Sequence, residues 1–194
     1  MKQIGLFGGT FDPVHVGHLI IAQSVIEQLG LDTVLFIPSA HPPHKSADIM
    51  FSPEERFSML ARAVQGNPHF RVSDIEMNRR GPSYTIDTIR QIKSTMSGVT
   101  ALSFIIGRDN LFEISTWKEP RAIIGECRII VADRPVSDED SIPGWLMDSI
   151  ELVQVPLIEI SSSDIRARIR AGMSIRYLVP DAVLDMIETG RHNG

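Results

Sequence analysis

Gly8-Gly9-Thr10-Phe11-Asp12-Pro13-Val14-His15-Val16-Gly17-His18 joins a short apolar run, Lys2 to Phe7, to a segment in which Leu19, Ile20, Ala22, Val25, Ile26 and Leu29 recur at helical spacing. A buried strand that runs into glycines and then into a helix is the first half of a βα unit. Gly30 follows the last apolar position and predicts the end of that helix. Working outward, Asp32 to Ile37 is a second apolar strand, closed by Pro38. Ser52-Pro53-Glu54-Glu55 opens a helix running to about Val64, with an N-cap serine, a first-turn proline and a capping-box glutamate.

The same alternation continues. Phe70 to Asp74 has strand alternation, and Thr85 to Met96 carries Ile86, Ile89 and Ile92 on one helical face. Ala101 to Ile106 and Arg128 to Ala132 are apolar strands, while Ser163 to Arg170 and Pro180 to Ile187 are helical. Strands alternating with helices predict an α/β fold: a Rossmann-like, doubly wound, mainly parallel sheet with helices on both faces. One domain covering residues 1–194 is expected, with ligands at the carboxyl ends of the strands.

Composition narrows the function. The 194 residues are 43% hydrophobic and 22% charged, which suits a globular chain with a full core. A net charge of −5 argues against a general nucleic-acid binder, whose domain is usually basic. No apolar run approaches the roughly 18 residues of a membrane span, and Met1-Lys2-Gln3-Ile4-Gly5 lacks a signal-peptide layout. With the single cysteine, Cys127, in an apolar run, the expectation is a cytoplasmic protein with an inert thiol and no membrane partner.

The loop from Gly8 to His18 carries the chemistry. Glycines allow close approach of backbone to phosphate, and the amides at a helix N-terminus favour an anion. The spacing is neither G-x-G-x-x-G nor a P-loop, since no Gly-Lys-Ser/Thr follows. Where a P-loop has lysine, this chain has His15 and His18, three apart at the start of a helix and so able to meet one ligand. Two imidazoles there can donate to the non-bridging oxygens of a nucleotide and stabilise charge during transfer. A lone histidine is more often a cap or a core residue, but the glycines and the strand–helix junction favour the phosphate reading.

Gly8 to His18 resembles the H-x-G-H motif of the nucleotidylyltransferase superfamily, in its nicotinate-nucleotide adenylyltransferase form. The resemblance extends over nearly the whole chain. It implies that Gly8, Gly9, Thr10, Phe11, His15 and His18 contact ATP. Pro42-Pro43-His44-Lys45 is similar to the family's loop after the second strand, which implies that Lys45 binds ATP phosphates. A solvated lysine, or metal binding by His41 and His44, is the alternative there. Gly81-Pro82-Ser83-Tyr84-Thr85-Ile86-Asp87-Thr88 matches G-x-S-Y-T-x-D-T and implies that Tyr84 and Thr85 take the nicotinate carboxylate. As a turn into a helix N-terminus it suits an anion, or a plain cap.

Gly107-Arg108-Asp109-Asn110 follows the most apolar strand. By resemblance Gly107 and Asp109 face the nucleotide, Asp109 also reaches the ribose and nicotinate end, and Trp117 stacks on the pyridine ring. Arg108 stands where the family often has a small residue. Ile160-Ser161-Ser162-Ser163-Asp164-Ile165-Arg166 is similar to I-S-S-T-x-I-R, with Ser163 in place of the commoner threonine. That implies ATP contacts from Ile160, Ser161, Ser163 and Arg166, and Arg134 is a further candidate. A serine-capped helix with a solvated arginine is the alternative.

The implied reaction transfers AMP from ATP to nicotinate mononucleotide and releases pyrophosphate, a step of NAD biosynthesis. His15 and His18 are assigned to the α- and β-phosphates, Lys45 and Arg166 to the leaving pyrophosphate. Mg²⁺ is expected with ATP, on phosphates and water more than on protein. Rival readings are pantetheine-phosphate adenylyltransferase, a cytidylyltransferase, and a non-catalytic nucleotide sensor on the same fold. Nothing in the residues decides whether copies of the chain form a homo-oligomer.

Overall fold

The computed structural model describes residues 2–43, 48–96, 99–133 and 144–192. The apolar runs become β1 (Lys2–Gly9), β2 (Thr33–Pro38), β3 (Phe70–Val72), β4 (Val99–Gly107) and β5 (Arg128–Asp133), and a sixth strand, β6 (Ile150–Gln154), joins them. The sheet order is β3-β2-β1-β4-β5-β6, and every neighbouring pair is parallel. Strands covered on both faces have little use for polar residues, which is why these read as continuous apolar runs.

Helices α1 (Val16–Leu29), α2 (Pro53–Ala63), α3 (Thr85–Thr95), α4 (Arg108–Glu113), α5 (Pro120–Glu126), α6 (Gly144–Met147), α7 (Ser162–Arg170) and α8 (Asp181–His192) flank the sheet. Successive strand residues point to opposite faces, and so the strands feed two cores. Phe7, Ile105 and Ile130 pack with Val25, Leu60, Ile165 and Val183, from α1, α2, α7 and α8. Their neighbours Leu6, Ile106 and Ile129 pack with Ile86, Ile89 and Ile123, from α3 and α5. This is the expected Rossmann-like α/β architecture.

Two local expectations hold in detail. Gly30 ends α1 at φ 64°, a left-handed conformation that favours glycine. Ser52 and Glu55 exchange side-chain and backbone hydrogen bonds at the start of α2. The sequence reading did not predict β6 or the short α4, α5 and α6. No helix of the described residues is long and apolar enough to cross a membrane.

The chain runs outward from β1 to β3 and then returns to β4 on the other side of β1. Neighbouring loops therefore leave the sheet in opposite directions between β1 and β4, opening a crevice at their carboxyl ends. Gly8 and Gly9 end one of these strands and Gly107 the other.

Candidate nucleotide site

His15 is the N-cap of α1 and His18 its third residue. The His15 N–H donates to His18 Nδ1 at 3.2 Å, and the two rings pack with centroids 3.7 Å apart and their planes tilted by 31°. A nitrogen that accepts carries no proton, so a neutral His18 has its hydrogen on Nε2. His15 is 7% exposed, and burial pushes its pKa down to about 4. At neutral pH it is an uncharged ring whose buried Nδ1 has no hydrogen-bond partner among the described residues. Gly17 makes room for it, since a Cβ there would stand 3.0 Å from His15 Nδ1. Phe11 is buried and meets the His18 ring edge-on at 4.9 Å, so its side chain supports the histidine from the core.

The loop is held by two buried charges. Asp12 accepts from the Met50 and Phe51 amides at 2.8 and 2.9 Å. Arg56, with no exposed surface, donates to the carbonyls of Thr10 and Ser39, both at 2.7 Å, and to that of Phe51 at 3.1 Å. Its burial lowers the guanidinium pKa, while Asp12 and Glu54 act in the opposite direction. The loops after β1 and β2 are thus tied to the start of α2.

Two cavities open beside this loop. One, of about 480 Å³, is bordered by His15, Gly17, Arg108, Asp109, Ala132 and Ile160. Its wall is apolar on the Ile160 side and charged at the start of α4. The other, of about 170 Å³, is bordered by Gly8, Gly9, Thr10, Tyr84, Thr85 and Trp117, with Phe104, Asn110 and Glu76. Trp117 is half-buried and packs edge-on against Phe104 at 6.1 Å. Tyr84 is the N-cap of α3 and gives its helix no side-chain cap. The Ser83 hydroxyl instead accepts from the His41 amide at 3.2 Å, so the plain-cap alternative does not describe this helix. The first amides of α3 remain available to an anion.

The start of α7 closes the loop from the other side. Ser161 caps that helix through the Asp164 amide, and the Ser162 hydroxyl donates to the Pro13 carbonyl at 2.9 Å. Arg166 is 8% exposed; it donates to the Asp12 carbonyl at 2.9 Å, to Asp48 at 2.7 Å and to the Ser163 hydroxyl at 3.2 Å. It is therefore no solvated arginine. Asp48 also receives Arg170 at 2.6 Å, and these hydrogen bonds hold its carboxyl below the usual range.

Of the residues expected at the site, Lys45 and Arg134 lie outside the described residues, as does His44 of the two-histidine metal alternative. The structure brings His15, Asp109 and Ile160 to one cavity, and Gly8, Gly9, Thr10, Tyr84, Thr85 and Trp117 to the other. Asp109 was also expected at the nicotinate end; its neighbour Asn110 borders that cavity. Gly107 is the N-cap of α4, directly before the Arg108-Asp109 pair. Ser161 and Ser163 use their hydroxyls within α7 and on Arg166.

Sequence reasoning missed Asp12, Arg56, Asp48 and Glu76. Asp12 had a signal, since an acid between Phe11 and Pro13 in an otherwise apolar loop needs a reason. Arg56 had none, because Glu54-Glu55-Arg56 reads like a solvated helix face. Among the described residues no group of three or more His, Cys, Asp or Glu could hold a metal ion.

The cytidylyltransferase-like family model matches residues 6–168. A protein of Dehalococcoides mccartyi named probable nicotinate-nucleotide adenylyltransferase is 42% identical, covering 98% of this chain and 96% of its own. One of the same name from Lachnoclostridium phytofermentans is 38% identical, covering 96% of each. Among solved structures, Plasmodium falciparum nicotinic acid mononucleotide adenylyltransferase complexed with NaAD superposes with a TM-score of 0.82 at 19% identity, covering 98% of this chain and 97% of that one.

Proposed function

The chain belongs to the cytidylyltransferase-like family, among relatives named nicotinate-nucleotide adenylyltransferase, and we propose for its site the reaction those names describe. It transfers AMP from ATP to nicotinate mononucleotide, giving nicotinate adenine dinucleotide and pyrophosphate. The observation that carries this reading is the stacked His15–His18 pair in the loop that borders both cavities.

The larger cavity takes ATP, with Ile160 against the base and His15 toward the phosphates. The smaller takes the mononucleotide, its ring on Trp117 and its carboxylate on the free amides around Thr85. Gly8, Gly9 and Thr10 border the smaller cavity and lie next to His15, where the phosphates of the two substrates meet. An oxygen of the mononucleotide phosphate, already ionised at neutral pH, attacks the α-phosphorus of ATP. A new phosphoanhydride forms, the α–β bond breaks, and its electron pair leaves with pyrophosphate.

No general base or covalent enzyme intermediate is needed, so catalysis is positioning and charge stabilisation. His18 donates through Nε2, and His15, uncharged, holds the His18 ring and contributes a neutral contact. Lys45 and Arg166 take the pyrophosphate. For Arg166 this requires the phosphate to replace Asp48, its present partner. Mg²⁺ enters with ATP as part of that substrate, held mostly by its phosphates and water.

Pyrophosphate release, with ATP and Mg²⁺, is to be compared for nicotinate mononucleotide, nicotinamide mononucleotide and phosphopantetheine. The nicotinate form should be used far better than either of the others. Turnover with phosphopantetheine alone would sink the assignment of the smaller cavity, and none with any substrate would favour a sensor. His18→Ala should lower turnover by about 10²-fold while the protein stays folded.

A further inference from the structure

Glu76 is a buried acid with half of its carboxylate engaged. Oε1 accepts the Thr88 hydroxyl and lies 3.7 Å from an Arg79 guanidinium nitrogen, whereas Oε2 is buried with no hydrogen-bond partner. The residue is 6% exposed and borders the smaller cavity, together with Trp117 and Thr85. Thr88 holds Oε1, which leaves Oε2 unengaged in a residue that borders the cavity. A desolvated carboxylate oxygen without a donor is costly to keep, and the cost calls for a ligand feature to offset it.

We propose that Glu76 is a specificity-determining residue that reads the positive charge of the co-substrate's ring, so that the cavity takes an N-ribosylated pyridinium and discriminates against an uncharged ring of the same shape. The inference rests on the reading of this cavity as the nicotinate mononucleotide site. A pyridine nitrogen bonded to ribose is quaternary: it carries a fixed positive charge and no proton. No hydrogen bond can recognise it at that atom, which leaves a π face and a counter-charge. Trp117 offers the face and Glu76 the charge.

The bound ring is zwitterionic, and both of its charges meet their opposites. The α3 amides beside Thr85 face its carboxylate, and Glu76 faces its nitrogen. Arg79 and the α3 terminus offset the repulsion that two carboxylates in one small cavity would otherwise feel. Glu76, Trp117 and Thr85 all border this one cavity, so a ring seated on Trp117 lies beside the Glu76 wall. At a separation of a few ångströms, one charge pair is worth about tenfold in affinity or more.

The test is calorimetric titration of wild type and Glu76→Gln with two probes. One is nicotinate mononucleotide; the other is its benzoate C-ribotide analogue, in which carbon replaces the ring nitrogen and the carboxylate, ribose and phosphate are kept. Wild type should bind the pyridinium at least about tenfold more tightly. In Glu76→Gln, whose amide oxygen can still accept from Thr88, that preference should shrink to about threefold or less. A purely structural Glu76 would weaken both ligands by the same factor and leave the ratio unchanged, which overturns the proposal. Should the variant not fold, the wild-type pair decides, and equal binding of the two probes overturns it. Pyrophosphate release measured alongside separates the two ideas. Its absence with nicotinate mononucleotide sinks the reaction, while the ratio of affinities still judges Glu76.

Discussion

His15 shows how a single residue can carry a cost that its sequence context hides. Its ring has little water and no charged partner, so its pKa falls from 6.5 to about 4. Between those values the unfolded chain binds a proton that the folded chain refuses, and stability must drop as pH falls through that window. A shift of this size corresponds to about 3 kcal/mol at the acid end and to nothing above pH 6.5. Denaturant melts of wild type and His15→Asn across the window should give a flatter profile for the variant. Parallel profiles would mean that His15 is not the buried neutral ring described. The spacing of the two histidines was legible in the sequence because three residues at a helix start fix a common side. The burial of His15 was not, nor was that of Arg56, whose carbonyl partner Thr10 lies 46 residues away along the chain.

At the scale of elements, the first turn of α1 works because Gly17 has no side chain. A methyl at that position would press on His15 at 3.0 Å from Nδ1 and 3.1 Å from Cε1. The His15 ring must then shift by a few tenths of an ångström, which disturbs its stack on His18. Gly17→Ala should lower kcat by about tenfold with a small change in Tm, because positioning is lost while the helix former gains. A normal kcat would separate the stack from the chemistry. The second device is Asp48, whose carboxylate joins Arg166 and Arg170. The proposed pyrophosphate contact of Arg166 requires Asp48 to give way, and Asp48→Ala should lower the KM for ATP by several-fold. A raised KM would assign Asp48 to holding the arginines for ATP instead. The sequence revealed the buried strands because two covered faces leave their central residues mostly apolar. It concealed β6, an edge strand whose Leu152 is 54% exposed and in which only Val153 is fully buried. The short α4, α5 and α6 have too few turns to establish a period.

At the scale of the molecule, the sheet order decides where two ligands can meet. Reversal of the chain between β1 and β4 opens the crevice there, and the loop that follows β1 borders both cavities, with Gly8 to Thr10 at the smaller and His15 and Gly17 at the larger. On the proposed assignment, a product that joins both nucleotides would fill both cavities, whereas ATP or the mononucleotide alone would fill one. Ligand at a hundred times its Kd stabilises a fold by about 2.7 kcal/mol. For a chain of this length that raises Tm by about 5–10 °C. Nicotinate adenine dinucleotide should therefore raise Tm more than an equal concentration of nicotinate mononucleotide, because its affinity draws on two sites joined by one pyrophosphate linkage. Thermal melts with each ligand at one shared concentration test this directly. Equal shifts from the dinucleotide and the mononucleotide would mean that the larger cavity adds nothing to binding, and the adenylate would then have to be held outside the crevice that the sheet order creates.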